Sequence, residues 1–235
     1  MKRILSLVSI IALIVSCSTE KQGNLIVNGT VEGLKLGTIY LQQLNDTVLV
    51  NVDSVIVDGE APFQLATDID EPQIMYLYLD KKDGIEFNDR ISFFAQDTIM
   101  TIATTLENFE NDVVVTGGKN QSLYNDFLKV NSKLNEEYTE LIKRNITLNQ
   151  SETVDPLIVD SLQIAMDKHI RRKVGFVVNY AQSYKEYEVA AYLLATEATQ
   201  ANPVYLDSIY KQMPKKIQTS RYGKQLSELI NTGLK

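Results

Sequence analysis

The chain has 235 residues, 44% of them hydrophobic and 23% charged, a globular balance rather than a disordered or collagenous one. Its 23 Lys and Arg against 30 Asp and Glu give a net charge of −7, which speaks against the basic face that duplex nucleic acid requires. One Cys and one His exclude a disulfide framework, a Cys-rich zinc site, a CxxC redox pair and multi-His metal motifs such as HExxH.

At the N-terminus, Lys2 and Arg3 precede an apolar run from Ile4 to Val15, interrupted by Ser6, Ser9 and Ala12. A membrane-spanning helix needs about 20 apolar residues, so this run is too short to span. A basic start, a short apolar core and a small residue at its end describe a secretory signal. The four residues Ile14-Val15-Ser16-Cys17 resemble the lipobox of bacterial lipoproteins. There the cysteine sulfur accepts diacylglycerol and the signal is cut away, here between Ser16 and Cys17. The one cysteine of the chain stands at this spot, where a nucleophilic sulfur is needed. Residues 1–16 are therefore expected to be a signal peptide, and 17–24 a lipidated, polar, flexible tether. Acyl chains contribute about 0.8 kcal/mol per buried CH₂, so two or three of them hold a protein on a bilayer. No Asp directly follows Cys17, nor any acidic run. The expected place is thus the cell envelope, on the outer membrane facing the periplasm.

Residues 25–116 read as strands. Leu25, Val27 and Val31 form a short β-prone run broken by Asn28-Gly29, and Thr38 to Leu41 a second. Val48, Val50, Val52, Val55 and Val57 alternate up to a turn signal at Asp58-Gly59. Phe63 and Leu65 follow, then Ile74, Tyr76, Tyr78 and Leu79 beyond Pro72, then Ile91, Phe93 and Phe94. Ile99 and Ile102, and finally Val113 to Val115, close this half at Gly117-Gly118. Short strands at such spacing predict an antiparallel sandwich or partly open barrel.

The period then changes. Leu123, Phe127, Val130, Leu134, Tyr138 and Leu141 recur every three or four residues, which predicts an amphipathic helix. Asp155-Pro156 starts a second helix running to about Tyr184, with Leu162, Met166, Ile170, Val174 and Val177 inward. A third begins near Tyr187. Asn202-Pro203 starts a fourth, ended by Pro214, and Ser220 caps the last. The predicted fold class is α+β: an N-terminal antiparallel β-sandwich or partly open barrel (25–116), followed by an α-helical module (117–235) packed on it.

Several stretches carry a family likeness. Gly37-Thr38-Ile39-Tyr40-Leu41, Asp53-Ser54-Val55-Ile56-Val57-Asp58-Gly59, Phe63, Phe93-Phe94 and Val115-Thr116-Gly117 resemble a domain of unknown function found in many lipoproteins of the Bacteroidota. Ser220-Arg221-Tyr222-Gly223-Lys224 is similar to the closing "S.YGK" of the helical segment in those relatives. In many of them a thioredoxin-like domain with a CxxC motif comes next, and this chain has no such motif. The resemblance implies no catalytic residue. With Cys17 lipidated, no thiol remains for disulfide exchange.

The remaining candidates have ordinary readings. His169, within Lys168-His169-Ile170-Arg171-Arg172-Lys173, could act as a base or bind an anion, but such a run reads as a solvated helix face. Asp53-Ser54 reads as a local backbone contact. Asp68, Asp70 and Glu71 lack the spacing of a calcium loop. Tyr40, Tyr76 and Tyr78 could line a groove that stacks on sugar or peptide, or be half-buried strand residues. The GxGxxG, GxxxxGK[ST] and GxSxG patterns are absent. The expectation is a lipid-anchored, non-catalytic envelope protein with no cofactor or metal, attached to the membrane and capturing a protein, peptide or glycan partner. Two rival readings remain: an accessory partner of a periplasmic thioredoxin-like oxidoreductase, and a hydrolase using carboxylates.

Overall fold

The computed structural model describes residues 21–59, 62–81, 89–150 and 155–234. The signal segment, Ser16 and Cys17 lie outside them. The strands are β1 Leu25–Glu32, β2 Leu36–Asn45, β3 Val48–Asp58, β4 Phe63–Thr67, β5 Gln73–Asp80, β6 Asp89–Ala95, β7 Thr98–Thr105 and β8 Val114–Thr116. The helices are α1 Lys119–Asn149, α2 Pro156–Ser183, α3 Glu188–Glu197, α4 Pro203–Gln212, α5 Lys215–Thr219 and α6 Arg221–Gly233.

The strands form two open sheets, β4-β1-β7-β8 and β3-β2-β5-β6. Their facing sides make one core, with Leu25, Val27 and Ile102 from the first sheet against Leu41, Leu77 and Phe93 from the second. The fold is the predicted sandwich with one correction. β1 and β7 pair in parallel, from Leu25↔Thr98 to Glu32↔Thr105. Alternation shows which side of a strand is buried but not which way its neighbour runs. A parallel pair needs a long connection, here the whole of β2 to β6.

β1 also runs straight through Asn28-Gly29, where a break was expected. Gly29 does not turn the chain. It lies beneath the Phe63 ring, where a Cβ would stand 2.1 Å from Cζ.

The second sheet is buried on both sides at the start of β5 and the end of β6. Along β5, Met75, Leu77 and Leu79 enter the sandwich, while Ile74 enters a second core shared with the helices. Phe93 and Phe94 divide in the same way, because successive side chains of a strand point to opposite faces. The result is three layers: sheet, sheet and helices. Gly117 and Gly118 adopt φ of 112° and 80° where the chain leaves β8 for α1. A Cβ on Gly117 would stand 2.7 Å from the Ile99 carbonyl oxygen, so this junction needs glycine twice over.

The expected caps form. Asp155 Oδ1 accepts from the Leu157 amide at 2.9 Å and Asn202 Oδ1 from the Val204 amide at 2.9 Å. Ser220 Oγ accepts from the Gly223 amide at 3.2 Å. The inward stripes of α1 and α2 fall largely where expected, with Leu123, Phe127 and Leu134 buried on α1 and Leu162 and Val177 on α2, but two positions differ. Val130 is 42% exposed, whereas Asn131 is buried. On α2 His169, 6% exposed, joins Leu162 and Val177 on the buried side, with Ile170 partly buried. α1 and α2 form a long antiparallel hairpin carrying the exposed Ile142, Ile146, Leu157 and Ile164. Among the described residues, no helix is long and apolar enough to cross a membrane.

Candidate functional site

Where the helices end on the outer face of the second sheet, they leave a cleft of about 520 Å³. Ile74 and Tyr76 of β5 form its floor, Tyr192 and Thr196 of α3 one wall, and Arg221, Tyr222, Gln225 and Glu228 of α6 another. Leu44 and Asp46, at the β2–β3 turn, close one end. The size falls within the range of small-ligand pockets.

The wall is built around Phe94. Its ring meets Tyr124 at 6.1 Å, Tyr192 at 5.7 Å and Tyr222 at 6.0 Å, and Tyr192 meets Tyr222 at 4.9 Å. Such tilted and edge-on pairs add about 0.5–1.5 kcal/mol each beyond area burial. The Ile74 amide donates to Tyr222 Oη at 2.8 Å, which ties α6 to the first residues of β5. Arg221 fastens the same corner. Its amide donates to both carboxylate oxygens of Glu71 at 3.0 Å, and its guanidinium donates to Gln73 Oε1 and the Leu44 carbonyl, each at 2.9 Å.

The hydroxyls here are held neutral. Burial pushes Tyr222 up to about 12, with the Ile74 amide and Arg221 pulling the other way. Burial first, then Tyr124 and Tyr222, raise Tyr192. Burial also raises Tyr124. Each remains a protonated hydroxyl, able to donate and accept, across physiological pH. The cleft thus offers aromatic rings, neutral hydroxyls and a polar rim.

Of the residues weighed as functional candidates in the sequence, Tyr76 alone lies in this cleft, while Ile74, Arg221 and Tyr222 stood there only as strand and family-likeness residues. Tyr40 and Tyr78 stand on the next stretch of the same sheet face and stack on each other at 5.6 Å, with the Arg90 guanidinium 5.4 Å from the Tyr78 ring. They largely occupy one another, as half-buried strand residues do. His169 is not on a solvated face, which corrects that reading. Its ring stacks on Tyr138 at 5.5 Å, Nδ1 lies 3.2 Å from Arg172, and Arg172 pairs with Glu137. Lys168, Arg171 and Arg172 are the exposed members of that run. Antiparallel packing of α2 on α1 turns His169 inward, and a ring that stacks on Tyr138 fills that place.

Asp68 Oδ1 accepts from the Asn24 amide, and Glu71 serves Arg221. Asp70 is exposed. Among the described residues, no group of three or more His, Cys, Asp or Glu is placed to hold a metal ion.

Asp53 accepts from the Ser54 amide at 2.7 Å, the Ala66 amide at 2.8 Å and Lys21 Nζ at 2.7 Å. Partial burial works to raise its pKa, but Lys21 and the two amides outweigh it and hold the carboxyl below its ordinary value. The native state therefore binds this proton less tightly than the unfolded chain. Asp53→Asn is expected to cost about 1–2 kcal/mol near neutral pH. The difference from wild type should shrink as pH falls below about 4, where the unfolded carboxyl takes up its proton. Thermal melts from pH 3 to 7 read this directly, and a gap unchanged at pH 3 would refute it.

Sequence reasoning missed Tyr192, Tyr222 and Arg221 as partners of Tyr76. One signal was present in the stretch from Ser220 to Lys224. Ser220 caps α6, Arg221 and Tyr222 reach back to β5, and Gly223 has no room for a side chain, since a Cβ would stand 1.9 Å from the Ile217 carbonyl oxygen.

The architecture is thus that of a strand domain with a helical module covering part of one sheet. Residues 25–124, the strand-rich half and the first turn and a half of α1, match the model of a family described as Domain of unknown function (DUF4369). No curated protein matches the chain.

Proposed function

We propose that the chain is a lipid-anchored envelope protein that binds rather than transforms its ligand, and that the ligand is a glycan strand held in the cleft. The observation that carries this is the convergence of Tyr76, Tyr192 and Tyr222 on one cleft about 520 Å³ in volume. Tyr76 and Tyr192 are half-buried there and offer apolar ring surface and hydroxyls, beside a polar rim of Gln225 and Glu228, which suits the mixed apolar and hydroxylated surface of a sugar. Arg221 supports this choice. Its guanidinium is already committed to Gln73 and Leu44, so it orients the wall instead of waiting for an anionic group.

A photoreactive residue at Gln225, on the exposed rim, tests the reading in living cells. Saccharide-bearing conjugates are expected from Gln225 and not from a control at Thr219. The yield should fall about tenfold in Tyr192→Phe, as for a lost hydrogen bond of about 1.4 kcal/mol. Peptide conjugates alone would replace the glycan by a peptide, and capture of a CxxC oxidoreductase would replace this reading by that of a redox accessory.

A further inference from the structure

The sequence suggests a loose tether as far as residue 24, yet the folded body begins earlier. Lys21 Nζ reaches Asp53 at 2.7 Å and the Ser54 carbonyl at 2.8 Å. Gly23 lies flat on β4, where a Cβ would stand 2.5 Å from the Thr67 carbonyl oxygen. Asn24 makes a reciprocal clamp with Ile69, donating from Nδ2 to its carbonyl at 2.8 Å and accepting its amide at Oδ1 at 2.9 Å. The Asn24 amide donates to Asp68 at 3.0 Å.

We infer that this clamp makes the lipid leash very short, so that the corner around Asn24, Ile69 and Asp70 is held against the bilayer and the tyrosine cleft works on ligand lying at the membrane surface. This rests on the lipidated reading of Cys17 and deepens the function proposed for the cleft. From Cys17 to Lys21 there are four Cα–Cα steps. Fully extended chain spans at most about 3.5 Å per residue, so the reach is at most about 14 Å. The clamped corner cannot leave the headgroup region by much more than that.

The cleft adjoins this corner. Glu71 lines the corner cavity with Asn24 and Asp70, and accepts the amide of Arg221, which lines the cleft. α1 starts from the same cavity at Lys119 and runs 31 residues, about 46 Å, to its far end. The cleft thus belongs to the anchored end of the molecule and the hairpin tip to the other. The corner itself is acidic: Asp70, Glu71, Asp97, Glu186 and Glu188 stand with Lys119 and Lys216. Its charge does not draw it to anionic lipid, so the leash must do the holding.

The test uses full-length lipidated protein in vesicles whose headgroups carry a quencher. Mass spectrometry of the N-terminal peptide first establishes the lipid, so a missing lipid fails the anchoring reading and not the geometry. Fluorophores are placed in turn at Asp70→Cys and Ser161→Cys. The Asp70 label should be quenched more strongly than the Ser161 label on α2. Twenty Gly and Ser residues inserted after Glu20 have a root-mean-square span of about 25 Å, and should release most of the Asp70 quenching. A Ser161 label quenched more strongly than the Asp70 label, or Asp70 quenching unmoved by the insertion, overturns the inference. No ligand is needed, so the outcome is independent of what the cleft binds.

Discussion

Phe94→Ala is expected to remove about 3–5 kcal/mol of stability, the cost of truncating a fully buried aromatic residue. Phe94 has no exposed surface and touches Tyr124, Tyr192 and Tyr222, so its loss empties the centre of the sheet–helix seam. Domains of this kind hold only about 5–15 kcal/mol in all, so a large share of the margin goes with one ring. The damage should also be local in character. Near-UV circular dichroism from the tyrosine cluster should fall before far-UV signal does as urea is raised. Phe93→Ala, one residue away, provides the comparison. Its ring lies inside the sandwich, so stability should drop by a similar amount while the tyrosine signal and the main transition are lost together. Loss of less than about 1 kcal/mol in Phe94→Ala would mean that the helices do not depend on this seam.

Cys17→Ala is expected to leave the protein uncut or unanchored, so that no normally cut protein stays on the membrane. The structure shows no span that could replace the anchor among the described residues. The acyl chains would supply nearly all of the affinity, at about 0.8 kcal/mol per buried CH₂, and their loss should shift the protein from membrane to soluble fraction by tenfold or more. Fractionation with metabolic labelling by a fatty acid such as palmitate checks both retention and its chemical cause. Native retention in the variant would overturn the anchoring reading and with it the short leash.

What could be read from the sequence follows the range of the interactions involved. Helix caps are local: Asp155, Asn202 and Ser220 each bond an amide two or three residues ahead, and all three stood out. Strand burial is periodic and was equally visible, down to adjacent Phe93 and Phe94 in one strand. The cleft was not, because its bonds join distant segments. Tyr222 meets Ile74 and Arg221 meets Gln73 across 148 residues, and no spacing rule links them. His169 shows the same limit. Its position on α2 is clear from the sequence, but which turn of α2 faces α1 depends on how two helices settle against each other, and charged neighbours on its own helix point the other way. The end of the expected tether shows the same limit: Lys21, Gly23 and Asn24 are polar and small, yet their partners Asp53, Thr67 and Ile69 lie over thirty residues downstream.

The place of β1 in its sheet has a mechanical consequence. β1 is an interior strand, laddered to β4 on one side and β7 on the other, and it follows directly on the clamped residues Lys21 to Asn24. If the chain is anchored as proposed, a pull that opens this clamp would pass next into that strand. A load in this direction shears both ladders at once, so many hydrogen bonds must yield together, whereas a tether joined to an edge would peel them one by one. A strand held on both sides is thus well suited to carry tension entering from the N-terminal end.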